Sequence, residues 1–415
     1  MREIEFDVRY RNLYGTRAGY LPSDRSAITE ANRALKADTE AAPADTLHPS
    51  VQAFQVLLDE DGVVRMLVTQ MIEEVPENHR TVETVPELLR QLNHIVTLAP
   101  KWHDKKSRRH FFPMSVLFTY MMMTESGEAV FRNRRLNDAL RLILKAWCDY
   151  LDSADSRHVI NRGKTGWLNK KSWEVNKLDD FVIPDPKAEH GGFASFNAFF
   201  HREIKSSKRK VAAPDDPRVV VSANDGTVYK VARDVALETT FWIKAQPYSV
   251  RDMLAGHELT ETYAGGDVLQ SYLSGADYHR WHAPVSGEVV GLDVVEGLMF
   301  SNLASEGNDI KGTGSQGYYT AVNTRGLCFI KADHEPLGIV CVIPVGITEI
   351  SSIRHTVRVG DKVKKGGEIG RFSYGGSSLA VLFQKGAINH FTVFNPDNPA
   401  VEGKIDVNAA IAVAN

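Results

Sequence analysis

Gly375-Gly376-Ser377-Ser378, near the C-terminal end of the 415-residue chain, has the residue types and order for a reaction of the backbone on itself. Two glycines open main-chain conformations closed to other residues. The serine that follows carries a hydroxyl able to attack the carbonyl of Gly376 and move the acyl group from nitrogen to oxygen. Elimination of that ester leaves a dehydroalanine, which hydrolyses to a pyruvoyl group at a new N-terminus. The competing reading is a Gly-rich turn between two strands. Attack by Ser377 needs a base and a group to orient it. Asp277-Tyr278-His279-Arg280-Trp281-His282-Ala283-Pro284 offers two imidazoles, His279 and His282. On a helix they would share a face. In an extended segment before Pro284 they lie on opposite faces and do different work. Asp225, in the turn Asn224-Asp225-Gly226, is placed to hold an imidazole in one tautomer. For the turn and for the histidine pair alike, a purely structural role is the alternative.

Other chemistries find less support. The three cysteines, Cys148, Cys328 and Cys341, are odd in number and lack CxxC spacing. They indicate neither a disulfide framework nor a zinc site, and a reducing cytoplasm is the default. The histidine pair lacks a third ligand at metal-site spacing, so no metal is expected. A serine hydrolase would need a GxSxG elbow, where this chain has GGSSL. No Gly-rich loop opens a helix with phosphate-binding spacing. A net charge of −3 gives no reason to expect nucleic acid. No run approaches the ~20 apolar residues that span a bilayer, and the N-terminus lacks the apolar stretch of a signal peptide. With 43% hydrophobic and 24% charged residues, the profile is that of a soluble globular protein.

The elements that must position these groups fall into two regions, giving an α+β fold: an N-terminal helical domain, then a β-rich sandwich. Roughly the first 45 residues are polar and read as a loosely packed arm. Apolar residues at helical spacing follow from Val51 to Leu58 and from Val64 to Ile72. Thr84, with Glu87 three residues on, caps a helix through Val96. Further helices are read from Phe111 to Met123 and from Leu136 to Leu151, with a short one from Ser195 to Ile204. The period changes to two after Pro217, with strands at 219–221, 227–231, 288–292, 329–330, 339–345 and 378–383. Turn-then-strand passages at Asn224-Asp225-Gly226 and Val285-Ser286-Gly287 share one plan and suggest a weak internal repeat. Val357 to Val363 reads as a hairpin like those of biotinyl carriers, without their lysine tip. Two basic runs, Lys101 to Phe112 and Lys205 to Lys210, are either solvated loops or contacts for an anionic membrane surface.

Several stretches together resemble the phosphatidylserine decarboxylase family. They are Glu368 to Phe383, which is similar to that family's cleavage motif, and in chain order FNAFFHREIK, SANDG, IKAQPYSVRDMLAG and DYHRWHAP, with VGITEISSI a looser match. The resemblance covers about residues 190–400. It implies that Gly376–Ser377 is the cut bond and Ser377 the precursor of a covalent pyruvoyl group, with no pyridoxal phosphate and no metal. It implies a self-cleavage triad of Asp225, His282 and Ser377, and a role for His279 in decarboxylation. Ser378 stands where the family more often has threonine, with little effect expected. The fragments would be residues 1–376 and 377–415, the domains 1–165 (helical extension) and 166–415 (catalytic). The chemistry implied is loss of an α-carboxylate through a Schiff base, the pyruvoyl group serving as electron sink. The helical extension and GWLN, YHRWHAP and FSYGGSSLA are similar to the soluble fungal branch that decarboxylates tryptophan. A free, aromatic L-amino acid is therefore the expected substrate, with phosphatidylserine the alternative, in a cytoplasmic homodimer with peripheral membrane contact possible. Outside the resemblance, a non-catalytic β-sandwich binding module and a serine hydrolase remain as readings of other classes.

Overall fold

The computed structural model describes residues 25–43, 46–104, 112–239, 248–273, 275, 277–302, 315–349, 352–374, 376–393 and 403–415. Helices dominate the first half: α1 (Arg25–Ala41), α2 (Pro49–Glu60), α3 (Gly62–Glu73), α4 (Val85–Val96), α5 (Pro113–Met122), α6 (Glu125–Val130), α7 (Arg134–Asp152), α8 (Lys170–Val175) and α9 (Phe196–Phe200). The capping signals act as read. Thr84 Oγ1 accepts the Glu87 N–H at 3.3 Å, and Glu87 Oε2 accepts the Glu83 N–H at 2.7 Å. The polar N-terminal stretch is not all a loose arm. From Arg25 it forms α1, whose Ile28 and Ala31 are fully buried. Only a narrow stripe of that helix meets the core, so polar residues mask its period. Residues 1–24 and Lys105 to Phe111, most of the first basic run, lie outside the described residues.

One apolar core runs through these helices and on through Trp167, Leu168, Phe181, Phe193 and α9. Residues on both sides of position 165 share it. It also takes in Tyr278, Met299, Phe300 and Tyr374 from the second half.

The second half is built on strands β1 (Val219–Val221), β2 (Gly226–Ala232), β3 (Asp267–Leu273), β4 (Arg280–His282), β5 (Gly287–Val295), β6 (Arg325–Ala332), β7 (Ile339–Ile347), β8 (Ile353–His355), β9 (Lys362–Val363), β10 (Glu368–Phe372), β11 (Gly376–Phe383), β12 (Ile388–Phe391), β13 (Lys404–Ile405) and β14 (Ala410–Ala414), with short helices α10 (Val250–Met253) and α11 (Gln316–Val322). An antiparallel eight-stranded sheet has the order β13-β2-β3-β11-β7-β6-β5-β9. Two three-stranded sheets, β1-β14-β12 and β4-β10-β8, complete the described strands. Alternation along β11 separates two cores. Leu379, Val381 and Phe383 pack with residues of the small sheets, Trp281, Ile369 and Ile411 among them. Ala380 and Leu382 pack with Val250 and Met253 of α10 and Tyr319 of α11.

The sheet also shows the internal repeat. β2 and β5 hold matching places, second from each end of the sheet. Each begins on the glycine of its turn, where a neighbouring strand leaves no room for a side chain. A Cβ on Gly226 would meet the Tyr272 carbonyl oxygen at 2.8 Å, and one on Gly287 the Lys331 oxygen at 2.2 Å. The segment 357–363 is not a free-standing hairpin; only Lys362–Val363 is strand, and it pairs with β5.

Candidate active site

Ser377 lies second in β11, near the centre of the eight-stranded sheet, paired with Leu273 on one side and Gly346 on the other. Its side chain is 1% exposed, and its hydroxyl has no hydrogen-bond partner among the described residues. Gly375 lies outside the described residues, but Gly376 is already strand. Ser378 points to the opposite face. Its hydroxyl donates to the Ser271 carbonyl (2.9 Å) and accepts from Gln270 Nε2 (2.8 Å). Gln270 in turn accepts the Tyr248 hydroxyl at 2.7 Å. The second serine is thus a buried tie to β3, a job either small hydroxyl residue can do.

The two histidines lie in extended chain at β4 and have unlike surroundings. His279 is fully buried, and neither ring nitrogen has a hydrogen-bond partner among the described residues. Its ring meets Phe200 edge-on, centroids 4.0 Å apart, and its carbonyl accepts the Phe372 N–H at the end of β10. Burial pushes its pKa well below the usual histidine value, with Arg202 and His201 adding to the shift. His282 is held at both nitrogens. Nδ1 lies 2.7 Å from the Gly366 carbonyl, which can only accept, so Nδ1 carries the proton. Nε2 therefore offers its lone pair, and the Tyr278 hydroxyl donates to it at 2.9 Å. Burial lowers the His282 pKa too, so the ring is neutral.

Asp225 sits where β2 begins, across β3 from Ser377: Thr227 and Ser378 flank the same residue, Tyr272. The His282 N–H donates to the Ala223 carbonyl (2.8 Å), placing the β4 histidine beside the same turn. The carboxylate of Asp225 does not bond to His282. Arg209 grips it with two bonds of 2.9 and 2.7 Å, and the Val407 N–H adds a third at 2.7 Å. Asp225, His282 and Ser377 thus gather at one end of the sheets, not joined by hydrogen bonds in this conformation.

Three of the four cations of the second basic run have partners within the molecule. Arg209 holds Asp225, Lys208 pairs with Asp180 at 3.0 Å, and Lys205 donates to the Asp179 carbonyl at 2.8 Å. Arg209, Tyr278 and Phe200 are site residues that the sequence did not single out. Tyr278 sat in full view inside the DYHRWHAP stretch, whereas nothing in a Lys/Arg run marks the one cation that turns inward.

A pyruvoyl group bound covalently at position 377 fits these surroundings: an enclosed position, a hydroxyl committed to nothing else, and an uncharged imidazole with both nitrogens open. Among the described residues, no cluster of three or more His, Cys, Asp or Glu side chains could hold a metal ion. None of the described helices is long and apolar enough to cross a membrane.

Comparison with known proteins agrees with this geometry. A family model described as phosphatidylserine decarboxylase matches residues 196–411, and a second model of that description matches 48–175. The decarboxylase iboD of Amanita muscaria is 34% identical over 331 residues, covering 75% of this chain and 93% of the relative. The L-tryptophan decarboxylase of Psilocybe cubensis is 28% identical over 359 residues, 81% of this chain and 80% of the relative. The phosphatidylserine decarboxylase proenzyme of Chlamydia caviae is 32% identical over 231 residues, covering 54% and 73% respectively. With a buried serine heading a central strand, neutral histidines at the same end of the sheets, and likeness over most of its length to decarboxylases, the chain belongs to the phosphatidylserine decarboxylase family and is a pyruvoyl-type decarboxylase.

Proposed function

We propose that the chain cuts itself between Gly376 and Ser377 and then removes the α-carboxylate of a free, aromatic L-amino acid in the cytoplasm, working as a homodimer of processed chains. The observation that carries the cleavage reading is the Ser377 hydroxyl, enclosed at the head of β11 and without a partner among the described residues.

In the cut, Ser377 Oγ attacks the carbonyl carbon of Gly376 and its proton passes to a base. The C–N bond breaks as the C–O bond forms, and the freed amine takes up a proton. Loss of the Ser377 α-proton expels Gly376 as a carboxylate. Water then replaces the nitrogen at position 377, releasing ammonia and leaving the ketone. His282 suits the role of base: it is neutral, with its tautomer fixed by Gly366 so that Nε2 carries the lone pair, which the Tyr278 hydroxyl releases when Ser377 is to be deprotonated. Asp225, locked by Arg209 and the Val407 N–H, keeps a fixed negative charge near that ring and favours the imidazolium once it forms.

Once in place, the pyruvoyl group supplies an electron sink for the pair left behind as CO₂ departs. His279 suits the return of a proton to the carbon that lost CO₂. Its buried, uncharged state keeps water and stray charge away from that position.

The free amino acid is favoured by extent of likeness. The decarboxylase iboD and the L-tryptophan decarboxylase of Psilocybe cubensis align over three quarters or more of this chain, the chlamydial proenzyme over 54%. Against the free amino acid stands the turn Asn224-Asp225-Gly226, which resembles the form in lipid-acting members of the family; Asn224 there donates to the Asp225 carbonyl (2.9 Å) and accepts the Ser271 hydroxyl (2.9 Å). Those bonds give Asn224 a structural use in the turn whichever substrate is taken. The test incubates purified protein with tryptophan, tyrosine, phenylalanine and methionine, and separately with phosphatidylserine micelles, following CO₂. Release from the free aromatic amino acids supports the assignment; release from the lipid alone overturns it. On a denaturing gel the active protein should run as two fragments, and Ser377→Ala as one inactive chain.

A further inference from the structure

The helical region reaches the link that carries the scissile bond. Tyr374, three residues ahead of Ser377, is 4% exposed and packs into the helical core rather than the sheets. Its ring lies 5.1 Å from Trp147 of α7, 5.4 Å from Phe196 and 5.2 Å from Phe200 of α9, and 6.0 Å from Phe112 ahead of α5. Its backbone N–H donates to Asn197 Oδ1 at 3.0 Å. Asn197 is itself fully buried, and its amide donates to Asp152 at the end of α7 (3.0 Å). On the other side of the bond, Ser378 is tied to β3 and Gln270, and β11 is paired along both edges.

We propose that the helical region is the template for self-cleavage. It clamps the chain at Tyr374 while the sheet clamps it from Ser377 onward, leaving only a short link between the two anchors. This rests on the reading of Gly376–Ser377 as the bond that is cut. The physical reason is the entropy of an intramolecular attack. Holding a nucleophile and a carbonyl in near-attack geometry is worth up to ~10⁵–10⁸ M in effective concentration, and a misplacement of about 1 Å can cost about 10²-fold. A strand can fix Ser377, but it cannot fix the carbonyl of Gly376 if the preceding chain swings freely. Two glycines supply the conformations the attack needs; the anchored tyrosine ahead of them limits how many are sampled. Tyr374, Trp147 and Asn197 are positioning residues in this scheme, since none need touch the reacting atoms.

The experiment follows cleavage of freshly translated full-length chain by pulse-chase on denaturing gels. Cut protein is then assayed for CO₂ release per pyruvoyl, counted by phenylhydrazine titration. Trp147→Ala and Tyr374→Ala should slow cleavage by about tenfold or more. Trp147→Ala chains that do become cut should turn over within about twofold of wild type per pyruvoyl. Tyr374→Phe, which keeps the ring, should cleave at the wild-type rate. Unfolding midpoints measured in a Ser377→Ala background identify variants that fail to fold. For those, Trp147→Phe and Tyr374→Leu take their place, with slower cleavage again expected. Wild-type cleavage rates in folded Trp147 and Tyr374 variants would overturn the template, and so would a fall in turnover per pyruvoyl matching the fall in cleavage. A wild-type chain that stays uncut while active would instead remove the cleavage reading itself.

Discussion

The Tyr278 hydroxyl bears directly on when His282 can act. By donating to Nε2 it stabilises the neutral ring, adding to the downward push of burial on the His282 pKa. The acid limb of the cleavage rate in the wild type should accordingly fall below the ordinary histidine value of about 6.5. Tyr278→Phe removes the donor and lets the pKa rise, so that limb should shift to higher pH. A pH–rate profile of cleavage checks this, and an unmoved limb would exclude the tyrosine from tuning the base. His279 makes a separable prediction. His279→Gln should still yield two fragments, while CO₂ release falls by about 10²–10⁴-fold, the usual worth of a positioned proton donor. Uncut His279→Gln chains would place that ring in cleavage instead. Serine and histidines were legible in the sequence because their residue types and neighbours carry the chemistry. Arg209 was not, because an inward-turned cation is a fact of packing without a signature of its own; Phe200 lay inside the FNAFFHREIK stretch, but nothing there marked its ring as the wall of an imidazole.

Among the elements, the same distinction decides what sequence shows. Caps and amphipathic stripes are local, so α2, α3, α4 and α7 could be read within a few residues. β3 gave no such signal. All seven of its residues are buried, with Gln270, Ser271 and Asp267 satisfied by partners far along the chain, so it lacks the alternation of a half-exposed strand. The N-terminus of α5 is equally non-local. The amide and hydroxyl of Ser115 donate to the carboxylate of Glu349, 234 residues away, at 2.7 and 2.5 Å. Burial raises the Glu349 pKa, while the bonds from Ser115 and Thr348 hold it down. A side chain from the end of β7 thus does for a helix what its own Phe112 cannot, since that N-cap residue makes no side-chain bond. Glu349→Ala leaves the Ser115 amide buried and unmet, the hydroxyl keeping Thr348 Oγ1 at 2.6 Å, and should cost about 1–3 kcal/mol. Glu349→Gln keeps an acceptor and should cost less. Urea unfolding in the Ser377→Ala background, which keeps one chain, measures both. Equal losses would show that the helix cap is not what Glu349 supplies.

For the molecule as a whole, joining helices to sheets buries three uncharged histidines near one another. His201 is driven down to about 3 by burial, with Arg371 and Arg280 adding to the shift. His279 and His282 are also held below their usual value. In the unfolded chain each would titrate near 6.5. Between that value and the folded pKa, the unfolded state binds more protons than the folded one, so stability rises with pH across this window and falls as acid is added. Each such histidine contributes a slope of up to about 1.4 kcal/mol per pH unit. His201 alone would remove about 2 kcal/mol between pH 7 and pH 5, with His279 and His282 adding in the same direction, a sizeable part of the ~5–15 kcal/mol typical of a folded domain. Urea unfolding of Ser377→Ala at pH 7, 6 and 5 should therefore show a steep loss of stability well above the range where carboxylates titrate. His201→Gln should make that pH dependence shallower by about one proton's worth. A midpoint unchanged from pH 7 to 5 would mean that these rings take up protons in the folded protein, and the uncharged pocket around His279 would have to be abandoned.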